Sequence, residues 1–114
     1  MDLKPLEALK LWHDVTLDTV RRDVPDLSAR QLAILLTVYL ETPPHTVRGL
    51  AAKLKVSKPA ITRALDTMGQ KDLLKRKRDE TDKRNVLIQR TVAGSVYLSE
   101  LADTIIAKAK DHTS

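Results

Sequence analysis

Thirteen lysines and arginines fall between Arg48 and Arg90, against five aspartates and glutamates. That stretch carries a net +8, whereas the flanks together carry −3. The chemistry open to such a distribution is the binding of a polyanion. A basic middle between acidic ends is the footprint of a module that grips nucleic acid on an acidic frame. Charge alone leaves a merely solvated surface open as well.

Bond-making chemistry finds no residues to carry it. His13, His45 and His112 lie far apart, with no HExxH and no histidine pair at i, i+4, so no metal site is expected. Ser28, Ser57, Ser95, Ser99 and Ser114 sit outside any GxSxG turn. Gly49, Gly69 and Gly94 are too scattered to form a phosphate-cradling loop. The absence of cysteine excludes disulfides, thiol chemistry and thiolate-bound zinc, and suits a reducing compartment. Trp12, Tyr39 and Tyr97 are the whole aromatic content, too few to stack the bases of a single strand. The expectation is a binding protein with no enzyme activity and no cofactor, directed at a double-stranded partner.

The elements that must position the cations follow from period and capping. With 114 residues and 42% hydrophobic content, the chain reads as one domain spanning 1–114. The N-terminus lacks an apolar signal core, and the longest apolar run, Leu32 to Leu40, is too short for a bilayer, so a cytoplasmic protein is expected. Residues 3–23 predict a helix with Leu6, Leu9, Trp12, Val15, Val20 and Val24 as its inner stripe. Ser28 and Gln31 form a capping box for a second helix to about Glu41, which Pro43-Pro44 stops. Thr46 caps a short helix, Val47 to Leu54. Lys55-Val56 is a tight turn, and Ser57 caps a fourth helix to about Gln70, with Ile61, Ala64, Leu65 and Met68 facing inward. Leu73–Arg78 and Asn85–Thr91 predict two strands around a polar tip. Thr91 caps a final helix over 92–110. The fold class is therefore mainly α with a small β-hairpin: a winged helix-turn-helix, its core at 27–94.

The segments LSARQLAILL, TVRGLAAKLKVSKPAITRALDTM and LLKRKRDETDKRNVLIQRTVAG carry a further signal. Leu50-Ala51 and Leu54 lead to Val56-Ser57. Ile61-Thr62-Arg63 precedes Leu65-Asp66. Arg78-Asp79 is followed by Asp82-Lys83-Arg84. In this order and spacing, over Leu27 to Gly94, the sequence resembles the MarR family of bacterial transcriptional regulators. Asp72 stands where that family usually carries glycine. The resemblance implies a homodimer on pseudo-palindromic duplex DNA, often with an effector-responsive pocket near the dimer interface; no effector is named by the residues. It also implies that Asp82 pairs with Arg84 and shapes the wing.

The roles at the interface follow from groove geometry. The fourth helix would enter the major groove by its N-terminal end. Ser57 and the first N–H groups would hold a phosphate, and Lys58 another. Arg63 matches guanine bidentately, with a phosphate clamp as its alternative role. Thr62 suits a base edge or a thymine methyl, and Pro59 and Ala60 offer van der Waals contact. Arg84 at the wing tip would enter a minor groove, with Lys77 and Lys83 on phosphates. The end helices, 3–23 and 92–110, carry surplus apolar surface at Leu3, Leu11 and Leu17, and at Leu98, Leu101, Ile105 and Ile106. That surplus predicts a dimer platform holding two reading helices about 34 Å apart. The competing reading is a winged-helix adaptor for another protein, its basic charge incidental.

Overall fold

The computed structural model describes residues 3–112. Five helices, α1 (Pro5–Arg21), α2 (Ala29–Leu40), α3 (Val47–Leu54), α4 (Lys58–Gln70) and α5 (Val92–His112), accompany two strands, β1 (Leu74–Arg78) and β2 (Val86–Arg90). The chain divides into two compact units: Leu27–Val96, and the remainder before and after it.

In the Leu27–Val96 unit the core is made by one face of each helix. Ile34, Leu35 and Val38 of α2, Leu50 and Ala51 of α3, and Ile61, Leu65 and Met68 of α4 are buried. Leu73, Leu74 and Ile88 close it from the hairpin side. The helices start where side-chain oxygens accept N–H groups that lack helical partners. Ser28 Oγ accepts from Gln31 N at 3.1 Å, and Gln31 Oε1 accepts from Ser28 N at 2.9 Å, a reciprocal capping box. Thr46 does the same for Gly49 N, Ser57 for Ala60 N and Thr91 for Gly94 N.

Two helices stop by turning left-handed without glycine. Lys55 after α3 and Asp72 after α4 both stand at φ 58°. At the second, Asp72 N donates to Gly69 O at 3.0 Å and Leu73 N to Met68 O at 2.9 Å. These are the two bonds of a Schellman stop, and buried Leu73 and Met68 supply its apolar contact. Asp72 thus meets, with a short polar side chain, the conformation for which glycine is the usual choice.

The hairpin is antiparallel, with Leu74 opposite Arg90, Arg76 opposite Ile88 and Arg78 opposite Val86. Only Leu74 of β1 is buried, so the hairpin is rooted at one end and projects beyond it. His45 O accepts from Ile88 N at 2.8 Å, and Thr46 bridges to Leu87, which fastens β2 to the start of α3. Behind the root, Tyr39 Oη donates to Thr91 O at 2.8 Å and accepts from Thr91 N at 2.9 Å. Arg90 lies over the Tyr39 ring, 5.5 Å from its centroid, and donates to Val38 O. A Cβ on Gly94 would fall 2.1 Å from Tyr39 Oη and 2.3 Å from the Leu73 carbonyl oxygen.

The other unit corrects the expected inner stripe of α1. Of Leu6, Leu9, Trp12, Val15, Val20 and Val24, only Val15 is buried; Leu6, Leu9, Trp12 and Val20 are 59–69% exposed. Leu3, Leu11 and Leu17, expected as spare surface, are half-buried instead, as are Leu98, Leu101 and Ile105 on α5, while Ile106 is 55% exposed. Apolar residues encircle most of α1, so its period does not select which face turns inward. The helix begins at Pro5 and ends at Arg21, before extended Arg22. Within this unit Thr104, 5% exposed, is a buried hydroxyl in mid-helix. It donates within reach of Glu100 O and Asp18 and accepts from Arg22, which also pairs with Asp18 at 2.8 Å.

Two substitutions test this account. Gly94→Ala overpacks the Tyr39 and Leu73 contacts and should cost about 1–3 kcal/mol in chemical denaturation. Asp72→Gly relieves the left-handed turn and removes a carboxylate from a helix C-terminus, and should raise stability by about 1 kcal/mol.

Candidate nucleic-acid interface

The helical period of α4 sorts its residues into two sets. Ala60, Ile61, Ala64, Leu65 and Met68 are buried. Ser57, Lys58, Pro59, Thr62, Arg63, Asp66 and Gln70 are exposed. Ala60 departs from its expected place on the groove face: at 7% exposure it lies one turn before Ala64 and packs inward. Its methyl is therefore unavailable to a base. Pro59 sits in the first turn, where an absent N–H costs nothing. Ser57 Oγ accepts from Ala60 N at 3.3 Å and keeps its O–H to donate, and Lys58 and Arg63 are the cations nearest the helix start. Among the described residues neither forms an ion pair.

The hairpin tip is ordered by its own carboxylates. Asp79 accepts from Thr81 N at 3.0 Å and Thr81 Oγ1 at 2.7 Å. Asn85 N donates to Asp82 O, and Asp79 N to Asn85 O. Asp82 takes three bonds from Arg84: from the backbone N at 3.1 Å, from Nε at 3.0 Å and from Nη2 at 3.2 Å. The Arg84 side chain nevertheless remains 85% exposed, so the clasp aims the guanidinium without hiding it. These bonds hold the Asp82 carboxyl below its ordinary value, the Arg84 side chain first and its backbone N–H second. The Asp79 carboxyl is lowered in the same way by Thr81. Lys77 and Lys83 are exposed and form no ion pair among the described residues.

One pair escaped the sequence reading. Leu74 and Ile88 point to the core, so Arg76, two residues on and opposite Ile88, shares their face. Its Nη2 donates to Asp66 Oδ1 of α4 at 2.7 Å. The signal was available: period two counted from Leu74 puts Arg76 towards α4 and Lys75 and Lys77 away from it.

A helix-turn-helix with an outward cationic face, followed by a clasped basic hairpin, is the arrangement to set beside known proteins. The sequence profile of the MarR family matches residues 27–86, a little over half of the chain. The chain belongs to the MarR family. Its fold is the family's winged helix-turn-helix. YusO from Bacillus subtilis superposes with a TM-score of 0.78 at 22% identity, over 95% of this chain and 75% of that one. CouR, a transcriptional repressor solved on a 23-mer DNA duplex, gives 0.71 at 21% identity, over 91% of this chain and 70% of CouR. The S. aureus MepR–DNA complex gives 0.68 at 23% identity, over 90% of this chain and 79% of MepR. A sequence search of curated proteins finds no match. MarR-family proteins are transcriptional regulators, not enzymes.

The clasp has a checkable titration. Because the folded Asp82 pKa is depressed, the clasp is intact above the ordinary carboxylate range and opens only as pH falls through the lowered value. Carboxyl-carbon NMR should show Asp82 titrating below a free aspartate. In Arg84→Ala the midpoint should return towards the ordinary value, and an unmoved midpoint would show that Arg84 is not its cause.

Proposed function

We propose that this protein is a sequence-specific, duplex DNA-binding transcriptional regulator that acts as a homodimer in the cytoplasm. The observation that carries the reading is the outward face of α4. Lys58 and Arg63, without carboxylate partners among the described residues, stand beside Pro59 and Thr62 on a capped helix. That face suits a major groove: Arg63 for guanine O6 and N7, Thr62 for a base edge, Ser57 and Lys58 for phosphates, and Pro59 for a thymine methyl. The wing offers exposed Arg84 to a minor groove, positioned by Asp82, with Lys77 and Lys83 for phosphates. Support also comes from CouR and MepR, both solved with DNA. No described helix is long and apolar enough to cross a membrane.

The dimer is supported by apolar surface that water should not keep. Leu6, Leu9, Trp12 and Val20 occupy one arc of α1, and Ile106 is exposed on α5. Large exposed apolar patches mark interaction sites, and a pseudo-palindromic site requires a two-fold protein. The half-buried Leu3, Leu11, Leu17, Leu98, Leu101 and Ile105 would then support the interface rather than form its centre.

Binding of labelled duplexes as a function of salt tests the proposal. Affinity should fall steeply with ionic strength, and Arg63→Ala should cost about 1–3 kcal/mol on a specific duplex and less on a random one. Equal losses on both would remove base reading from Arg63. Duplex binding indifferent to salt would favour the adaptor. Trp12→Glu should shift sedimentation from dimer to monomer; an unchanged dimer would place the interface elsewhere.

A further inference from the structure

Asp66 is an acid in the wrong place for a surface that meets a polyanion. It lies one turn beyond Thr62 and Arg63, in the middle of the outward face of α4. An unpaired carboxylate there would repel phosphates. Instead its Oδ1 receives Arg76 Nη2 at 2.7 Å, with both side chains about half exposed. Arg76 stands on β1 two residues beyond buried Leu74, opposite buried Ile88, and no β1 residue from Lys75 to Arg78 is itself buried. Among the described residues, Asp66–Arg76 is the one side-chain hydrogen bond from α4 to the hairpin. The opposite strand has its own fastening, through His45 O and the Thr46–Leu87 bridge. The hairpin is thus tied on both edges, β2 to the start of α3 and β1 to α4.

The geometry points to Asp66 as a positioning residue: through Arg76 it braces the wing against the reading helix, so that a carboxylate on the DNA-facing side strengthens duplex binding. The inference rests on the duplex-binding reading above and extends it to a residue that touches no DNA. It differs in sign from charge alone. Neutralising an acid on this face would, by counterion arithmetic, free Arg76 for a phosphate, tighten binding and steepen the salt dependence. Loss of a brace does the reverse.

The experiment compares Asp66→Asn, Asp66→Glu, Arg76→Gln and the double variant Asp66→Asn with Arg76→Gln. Two readings are taken: affinity for a labelled duplex, and amide hydrogen exchange along β1 and β2 in the free protein. Asp66→Asn should weaken duplex binding about two- to fivefold, the range an exposed pair commands, and speed exchange in the hairpin while the buried amides of α4 stay protected. Asp66→Glu should restore both. The double variant should lose no more than Arg76→Gln alone, because the two residues act through one contact. Tighter binding by Asp66→Asn with unaltered exchange would overturn the brace. So would weaker binding with unaltered exchange, which would make Asp66 a direct contact to a base. If the wild type binds no duplex, the function proposed above fails, and faster hairpin exchange in Asp66→Asn still decides the brace by itself.

Discussion

Burial of one face of α4 is the constraint from which the rest of the interface follows. Ile61, Leu65 and Met68 are 0–2% exposed, and Ala60 and Ala64 pack beside them. With 3.6 residues per turn, fixing those five inward leaves Lys58, Pro59, Thr62, Arg63 and Asp66 outward with no further choice. The display is a by-product of the core. Ala60 is no part of it, because it lies one turn before Ala64 on the buried face.

The same core sets the hairpin. The Schellman stop after α4 places Leu73 and Leu74 inside, and the strand period then assigns every later side chain of β1 to a face. Arg76 falls towards α4, where Asp66 meets it; Lys75 and Lys77 fall on the other face. Beyond that root Ile88 alone among the hairpin's strand residues is buried, and polar ties add to it: Asp66–Arg76 on one edge, His45 and Thr46 on the other, and the Asp82–Arg84 clasp at the tip. Exposed pairs of this kind contribute little stability each. Their effect is on geometry, which is what groove recognition needs.

Much of this was legible in the sequence, for reasons that can be named. Ser28 with Gln31, Thr46, Ser57 and Thr91 are local capping signals, and each caps a helix in the structure. The inner face of α4 was readable because its polar and apolar residues separate cleanly by period. On α1 they do not separate: Leu6, Leu9 and Trp12 compete with Leu3, Leu11 and Leu17 around one helix, and only the tertiary arrangement decides which set turns outward. The left-handed turn at Asp72 was visible only as a departure from the glycine usual in the MarR family, and the backbone angle supplies its meaning. Asp66–Arg76 spans ten residues and joins a helix period to a strand period, a combination no single window reveals.

The central claim is that two copies of one cationic helix and its braced hairpin read a two-fold site on duplex DNA. Selection of bound sequences from a random duplex pool tests it most directly. The account predicts an inverted repeat whose half-sites are centred about one helical turn apart, on the order of 10 base pairs. A pool that stays random through successive rounds, or converges on a single unrepeated half-site, would contradict it.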